Sequence, residues 1–363
     1  MRNVVLRIHL WLGLLGAIFL LILGMTGSIM AFEGDIEHWT HPKQWYVEVR
    51  GEKLPQQELI DRVQKQFGPA RVGSVQIFRQ RNLVEGLQLT DHSTVLVNPY
   101  SGDVVWRGSG PSSVQNLLQS IHQLHLRLTP DPRAWPSFSK VGKVVVSFAG
   151  LILLLQVPIG ICLWWRYKRA SIQWKGSWLR TCFDVHNAFG LYGALFLFIA
   201  AVTGILIGFD FGEKAIYAVT HSAPPARMRP LQSTVIEGAA RIGADRALEI
   251  AQTAMPDASI AGLSLGLGAK DAINVQMRVP EETSEAVHSA VAIDQYSGRV
   301  LQVRDFRTDS LGYRVIRFNR SIHTGDVLGF PTHVLVSLSS LLLVAIVGSG
   351  VAIWWKKLGA SSK

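Results

Sequence analysis

Cysteine is almost missing: Cys162 and Cys182 are the only two among 363 residues. The long polar connections contain none, so no disulfide framework can hold them, and without a CxxCH there is no covalent haem attachment. Charge is scarce too, at 17 % of residues, and no Asp or Glu interrupts the four long apolar runs described below. An ion-coupled path lined by intramembrane carboxylates is therefore disfavoured. GxGxxG, P-loop and nucleophile-elbow patterns are lacking, and with them any sign of a nucleotide or flavin site belonging to the chain itself.

What the chain has is hydrophobic length. His9 to Phe32 and His186 to Phe209 are both uncharged and apolar for more than twenty residues, enough to cross a bilayer core of about 30 Å as helices. The two match at a shift of 177 residues: His9 on His186, Gly13 on Gly190, Gly16 on Gly193, and Thr26-Gly27 on Thr203-Gly204. A cleaved leader has no reason to recur in mid-chain. Two further apolar runs, 141–165 and 331–355, each end in a Trp-Trp pair followed by bases, the signature of a headgroup boundary.

These runs divide the chain into transmembrane helix 1 (1–32), an exported domain (33–140), transmembrane helix 2 (141–165), a basic loop (166–183), transmembrane helix 3 (184–209), a second exported domain (210–330), transmembrane helix 4 (331–355) and a tail (356–363). The net charge of +10 is explained by topology. Arg2, Arg7, Arg166, Lys168, Arg169, Lys175, Arg180, Lys356, Lys357 and Lys363 face a single acid, Asp184, which leaves 26 bases against 25 acids elsewhere. The positive-inside rule places both termini and the short loop in the cytoplasm. The excess charge does not call for a nucleic-acid partner; the expected partner is the lipid bilayer.

Each exported domain reads as a helix on a small antiparallel sheet. LPQQELIDRVQKQFG and ADRALEIAQTAMP have helical spacing, and short alternating runs follow, with hairpins at Tyr100-Ser101-Gly102 and Tyr296-Ser297-Gly298. The segments SIHQLHLRL and SIHTGDVLG then return to the membrane. The fold class is a four-helix transmembrane bundle formed by tandem duplication, with two exported α+β domains. Sites in duplicated membrane proteins lie where the halves meet.

Six of the eleven histidines sit at membrane boundaries: His9, His122, His125, His186, His323 and His333. Facing imidazoles from two helices suit the axial positions of haem iron. Gly13 and Gly190, one turn along from His9 and His186, offer a flat strip to a porphyrin edge, although small-residue helix packing explains them as well. Zinc prefers a compact set with thiolate or carboxylate partners, and no such cluster is visible.

HxxxGL…TG at the start of both halves, the strand ends NPYSGDVV and IDQYSGRVL, the LH and IH segments, and GxxxWW before a basic end resemble the PepSY-associated transmembrane proteins over essentially the whole length. The resemblance implies two periplasmic PepSY-like domains on an inner-membrane protein of Gram-negative bacteria. It also implies two b-type haems and reduction of a periplasmic ferric siderophore. The family's haem histidines would fall on His9, His186, His125 and His323, with His122 and His333 as further candidates. The cytoplasmic or membrane electron donor is not indicated. Two other readings stand beside this one: a membrane-anchored PepSY regulatory or binding module without redox activity, and an iron-siderophore permease.

Overall fold

The computed structural model describes residues 1–168, 170–225, 231–283 and 286–361. Of the residues named above, Arg169 and Lys363 lie outside them. In chain order the helices are α1 (Arg2–Met30), α2 (Glu33–Thr40), α3 (Pro42–Trp45), α4 (Gln56–Phe67), α5 (Ser113–Arg127), α6 (Pro136–Trp164), α7 (Trp178–Gly208), α8 (Asp210–Val219), α9 (Ala244–Ala254), α10 (Leu311–Thr324) and α11 (Phe330–Ser361). The strands are β1 (Val72–Gln76), β2 (Glu85–Leu89), β3 (Ser93–Val97), β4 (Val104–Ser109), β5 (Ser259–Ser264), β6 (Ile273–Arg278), β7 (Ser289–Ile293) and β8 (Val300–Arg304). They form two compact units.

The first unit holds Met1–Glu33, Gln115–Ser222 and the chain from Val315 onward. Its long helices α1, α6, α7 and α11 are each long and apolar enough to cross a membrane. Backbone hydrogen bonding carries three of them past their apolar cores: α6 starts at Pro136 and α7 at Trp178, and α11 runs on to Ser361. Proline at the first turn suits a helix start, and Ser177 caps α7 by accepting from the Arg180 N–H. Packing is cyclic: α1 and α7 each border both α6 and α11. Leu20, Ala149, Leu153, Leu197, Ala201 and Leu343 form the buried centre of the bundle.

The second unit, Gly34–Val114 with Ala223–Arg314, differs from the two separate sheets expected of the sequence. β1 and β5 pair antiparallel, Val75 opposite Leu263, and fuse both sets of strands into one eight-stranded sheet of order β4-β3-β2-β1-β5-β6-β7-β8. Local patterning marks strands but not partners. Fusing the sets removes two exposed strand edges. α4 and α9 are tied at their starts: Asp245 accepts from the Gln56 and Gln57 N–H groups at 2.7 and 3.2 Å, and Gln57 Oε1 accepts from the Ala244 N–H at 2.8 Å. Leu59, Val63, Val95, Val275, Met277 and Ile293 are buried in this unit.

The two expected hairpins are built alike. Asn98 accepts from the Tyr100 and Ser101 N–H groups and Asp294 from those of Tyr296 and Ser297, and Gly102 and Gly298 then take φ of 75° and 71°. Only glycine enters that region without strain. His38 lies in α2 with its ring 4.4 Å from that of Trp45.

Candidate functional site: two pairs of facing histidines

α1 and α7 face each other across the bundle and bring two histidine pairs together. Near their N-terminal ends the His9 and His186 ring centroids lie 6.1 Å apart, with planes at 85°. Near their C-terminal ends α5 and α10 supply His125 and His323, whose centroids lie 6.5 Å apart at 59°. In both α1 and α7 the threonine that meets the second pair follows the histidine by 17 positions. That is about 25 Å of helix at a rise of 1.5 Å per residue. The apolar centre around Leu20 and Leu197 occupies the interval.

Three of the four rings are oriented through Nδ1. Thr26 Oγ1 donates to the Ile22 carbonyl at 2.6 Å, so its proton is committed, and it lies 2.8 Å from His125 Nδ1. Thr203 Oγ1 repeats this with the Ile199 carbonyl at 2.8 Å and His323 Nδ1 at 2.9 Å. A hydroxyl that has spent its proton accepts, so Nδ1–H donates in both rings and the Nε2 lone pairs stay free. His186 Nδ1 lies 2.9 Å from the Ile346 carbonyl, which can only accept, so this ring holds the same tautomer. His9 Nδ1 is buried and has no partner among the described residues.

Desolvation, with smaller effects of His323 and His122, pushes the His125 pKa down to about 3. Desolvation likewise takes His323 to about 4, against an opposing bond to the Ala200 carbonyl. Both rings are therefore neutral, the form that binds a metal.

Glycines make room for all four rings. A Cβ on Gly27 would stand 3.3 Å from His125 Cε1, and one on Gly204 3.0 Å from His323 Cε1. On α6 and α11, Gly160 lies against His9 and Gly350 against His186, with corresponding distances of 3.5 and 3.1 Å. These four glycines and the two threonine acceptors are the residues that sequence reasoning missed as parts of a site. Their signal was the repeated TG and the repeated GxxxWW.

The expected glycine strip is uneven. Gly190 has open space where a Cβ would sit, whereas a Cβ on Gly13 would come within 2.8 Å of Gln156 Nε2. Gly16 packs on Ile152 and Leu20, and Gly193 on Leu197 and Leu342. His122 and His333 stand apart from the facing pairs. His122 Nδ1 meets Glu33 at 2.9 Å, and His333 Nε2 meets Asp326 at 3.1 Å.

The donor set fits haem. Among the described residues no three His, Cys, Asp or Glu side chains gather to hold a metal ion, so a protein-only tetrahedral site is absent there. Two imidazoles bound to one metal from opposite sides, with metal–nitrogen bonds of ~2.0–2.1 Å and a nitrogen-to-centroid distance of roughly 1.15 Å, place their centroids about 6.4 Å apart. The observed 6.1 and 6.5 Å bracket that separation. The remaining positions around such a metal would belong to a macrocycle.

A family model described as the PepSY-associated TM region matches residues 6–357. The chain belongs to that family. No curated protein matches it.

Proposed function

We propose that this member of the PepSY-associated TM family is a b-type cytochrome of the bacterial inner membrane that reduces a periplasmic ferric siderophore. The observation that carries the reading is the pair of centroid separations, 6.1 and 6.5 Å, in two places along one bundle. His9 with His186, and His125 with His323, would each hold one haem. Haem bound there would supply reversible one-electron chemistry.

Topology follows the charge. Ten bases against one acid at the termini and the 166–183 loop support cytoplasmic placement of the His9 end and periplasmic placement of the sheet unit. The matching histidines, threonines, glycines and strand order in the two halves support a tandem duplication, with each histidine pair drawing one ring from either half.

The chain's own tasks are limited. Thr26, Thr203 and the Ile346 carbonyl fix the imidazole tautomers, and the glycines set how closely each ring sits to its neighbouring helix. The apolar centre around Leu20, Ala201 and Leu343 keeps water from the interval between the pairs. The substrate step is one-electron reduction of Fe(III) to Fe(II). Hard oxygen donors hold Fe(II) far more weakly, so the chelate releases its metal.

The test is an absorption spectrum of detergent-purified protein, oxidised and dithionite-reduced, with haem quantified per chain and reoxidation followed on adding a ferric siderophore. The reading expects two low-spin haems per chain, reoxidised by the chelate, with His9→Ala and His125→Ala each removing one. A colourless protein from haem-replete cells would refute it and leave a membrane-anchored regulatory module as the better account.

A further inference from the structure

The two halves of the bundle part company at His9. Aligning α6 with α11 on Gly160/Gly350 and on their Trp-Trp pairs puts Gln156 at the position of Ile346, four residues before each glycine. In the second half the backbone carbonyl of Ile346 takes the His186 Nδ1 proton at 2.9 Å. The first half has no such bond. Gln156 instead donates from Nε2 to the His9 backbone carbonyl at 3.0 Å and fills the space beside Gly13.

Two polar atoms there, His9 Nδ1 and Gln156 Oε1, are buried and have no hydrogen-bond partner among the described residues. One is a donor in the tautomer its three counterparts adopt, and the other is an acceptor. A buried unpaired polar atom is costly, and a glutamine inside a membrane helix costs more to keep than an isoleucine. Gln156 and Gly160 are also i and i+4 on one helix face, the face His9 meets.

We infer that Gln156 is the positioning residue for His9: its Oε1 is the acceptor that completes His9 Nδ1–H, through one buried water. The deduction rests on the haem reading above. Its consequence is electronic. An acceptor on Nδ1–H makes the imidazole a stronger donor at Nε2, which favours the ferric state and lowers the reduction potential of the haem that ring binds. A side-chain amide with a mobile water is a different acceptor from the fixed Ile346 carbonyl. Gln156 thereby gives the cytoplasmic-side haem a potential adjustment that the exported-side pair, held by two threonines, does not share.

Redox titration of the purified full-length protein, followed optically, tests this with Gln156→Met and Gln156→Glu. Both variants lose the Nε2 bond to the His9 carbonyl, so they differ in the acceptor: methionine removes it, and glutamate keeps and strengthens it. The expected result is an upward shift of one haem midpoint in Q156M and a downward shift of the same midpoint in Q156E, with the other haem unmoved. The low-spin electron paramagnetic resonance signal of that haem should change along with its midpoint. The His125→Ala background, which retains only the His9/His186 haem, identifies which midpoint moves. If Q156M loses that haem, its recovery in Q156E supports the assignment and its loss in both overturns it. Midpoints unchanged in both variants, or both haems shifted together, would also overturn it while leaving the cytochrome reading intact. A wild type without haem would remove the premise and the proposal together.

Discussion

Replacing Thr26 by valine removes one hydroxyl and keeps the β-branched shape, so helix packing is preserved while His125 loses its Nδ1 acceptor. The hydroxyl sits 2.8 Å from Nδ1, and its own proton goes to the Ile22 carbonyl at 2.6 Å. Nothing in α1 other than this oxygen bonds the His125 ring among the described residues. The variant therefore leaves a buried N–H unpaired, at about 1–3 kcal/mol. Loss of a group that orients a metal-bound histidine costs about 10–100-fold in affinity, the same range expressed as a ratio. The assay is the rate of haem transfer to an excess of an apo-globin acceptor, measured in a His9→Ala background so that only the His125/His323 haem is counted. T26V should lose haem about 10–100-fold faster than its parent, and T26S should restore the parental rate because serine retains the oxygen. T203V should match T26V, and the double variant should fall short of the sum because both act on one metal. T26V and T26S losing haem equally fast would mean that bulk, not the hydrogen bond, matters at this position, and the tautomer argument would fail.

The glycine contacts rank two further substitutions. Gly350→Ala should weaken haem retention at the His9/His186 pair more than Gly160→Ala, because its Cβ meets the ring at 3.1 rather than 3.5 Å, read as haem per chain after purification. His122→Ala and His333→Ala should keep both haems, since each ring is engaged with a carboxylate; losing such a partly exposed pair costs about 1 kcal/mol or less, measurable as a small shift in chemical unfolding. In the sheet unit, Asp245→Ala removes the acceptor of two α4 N–H groups and should cost about 1 kcal/mol by the same measurement. Burial pushes the Asp294 pKa up, but N–H bonds from Ser297, Thr234 and Tyr296 outweigh it and hold the pKa at about 2. The folded pKa is depressed, so this contribution to stability is present above the ordinary carboxylate value of 3.8 and is lost as pH falls towards 2. Unfolding midpoints of wild type and Asp294→Ala should therefore converge over that window.

Which parts of this molecule can be read from its sequence depends on whether the deciding interaction is local. The four spans follow from apolar length, and both hairpins from an Asn or Asp, a Tyr-Ser pair and a glycine, all within a few residues of one another. The union of β1 with β5 joins segments nearly two hundred residues apart, and both strands alternate in the same way whether paired or at an edge. The histidine pairing shows the limit most sharply. Ser120-Ile121-His122 and Ser321-Ile322-His323 are the obvious sequence match, and taken alone they would set His122 opposite His323. The structure puts His125 there, one helical turn later, and leaves His122 against Glu33. A triplet reports local backbone, whereas a ligand position is fixed by where a helix lies on its neighbour. The neighbour did leave a trace. Thr-Gly recurs in both halves because the two residues serve one ring, the threonine oxygen taking Nδ1–H and the missing glycine Cβ leaving space for Cε1. A dipeptide that looks like helix-packing filler in one copy is seen to seat a histidine ring once a second copy repeats it against a second histidine.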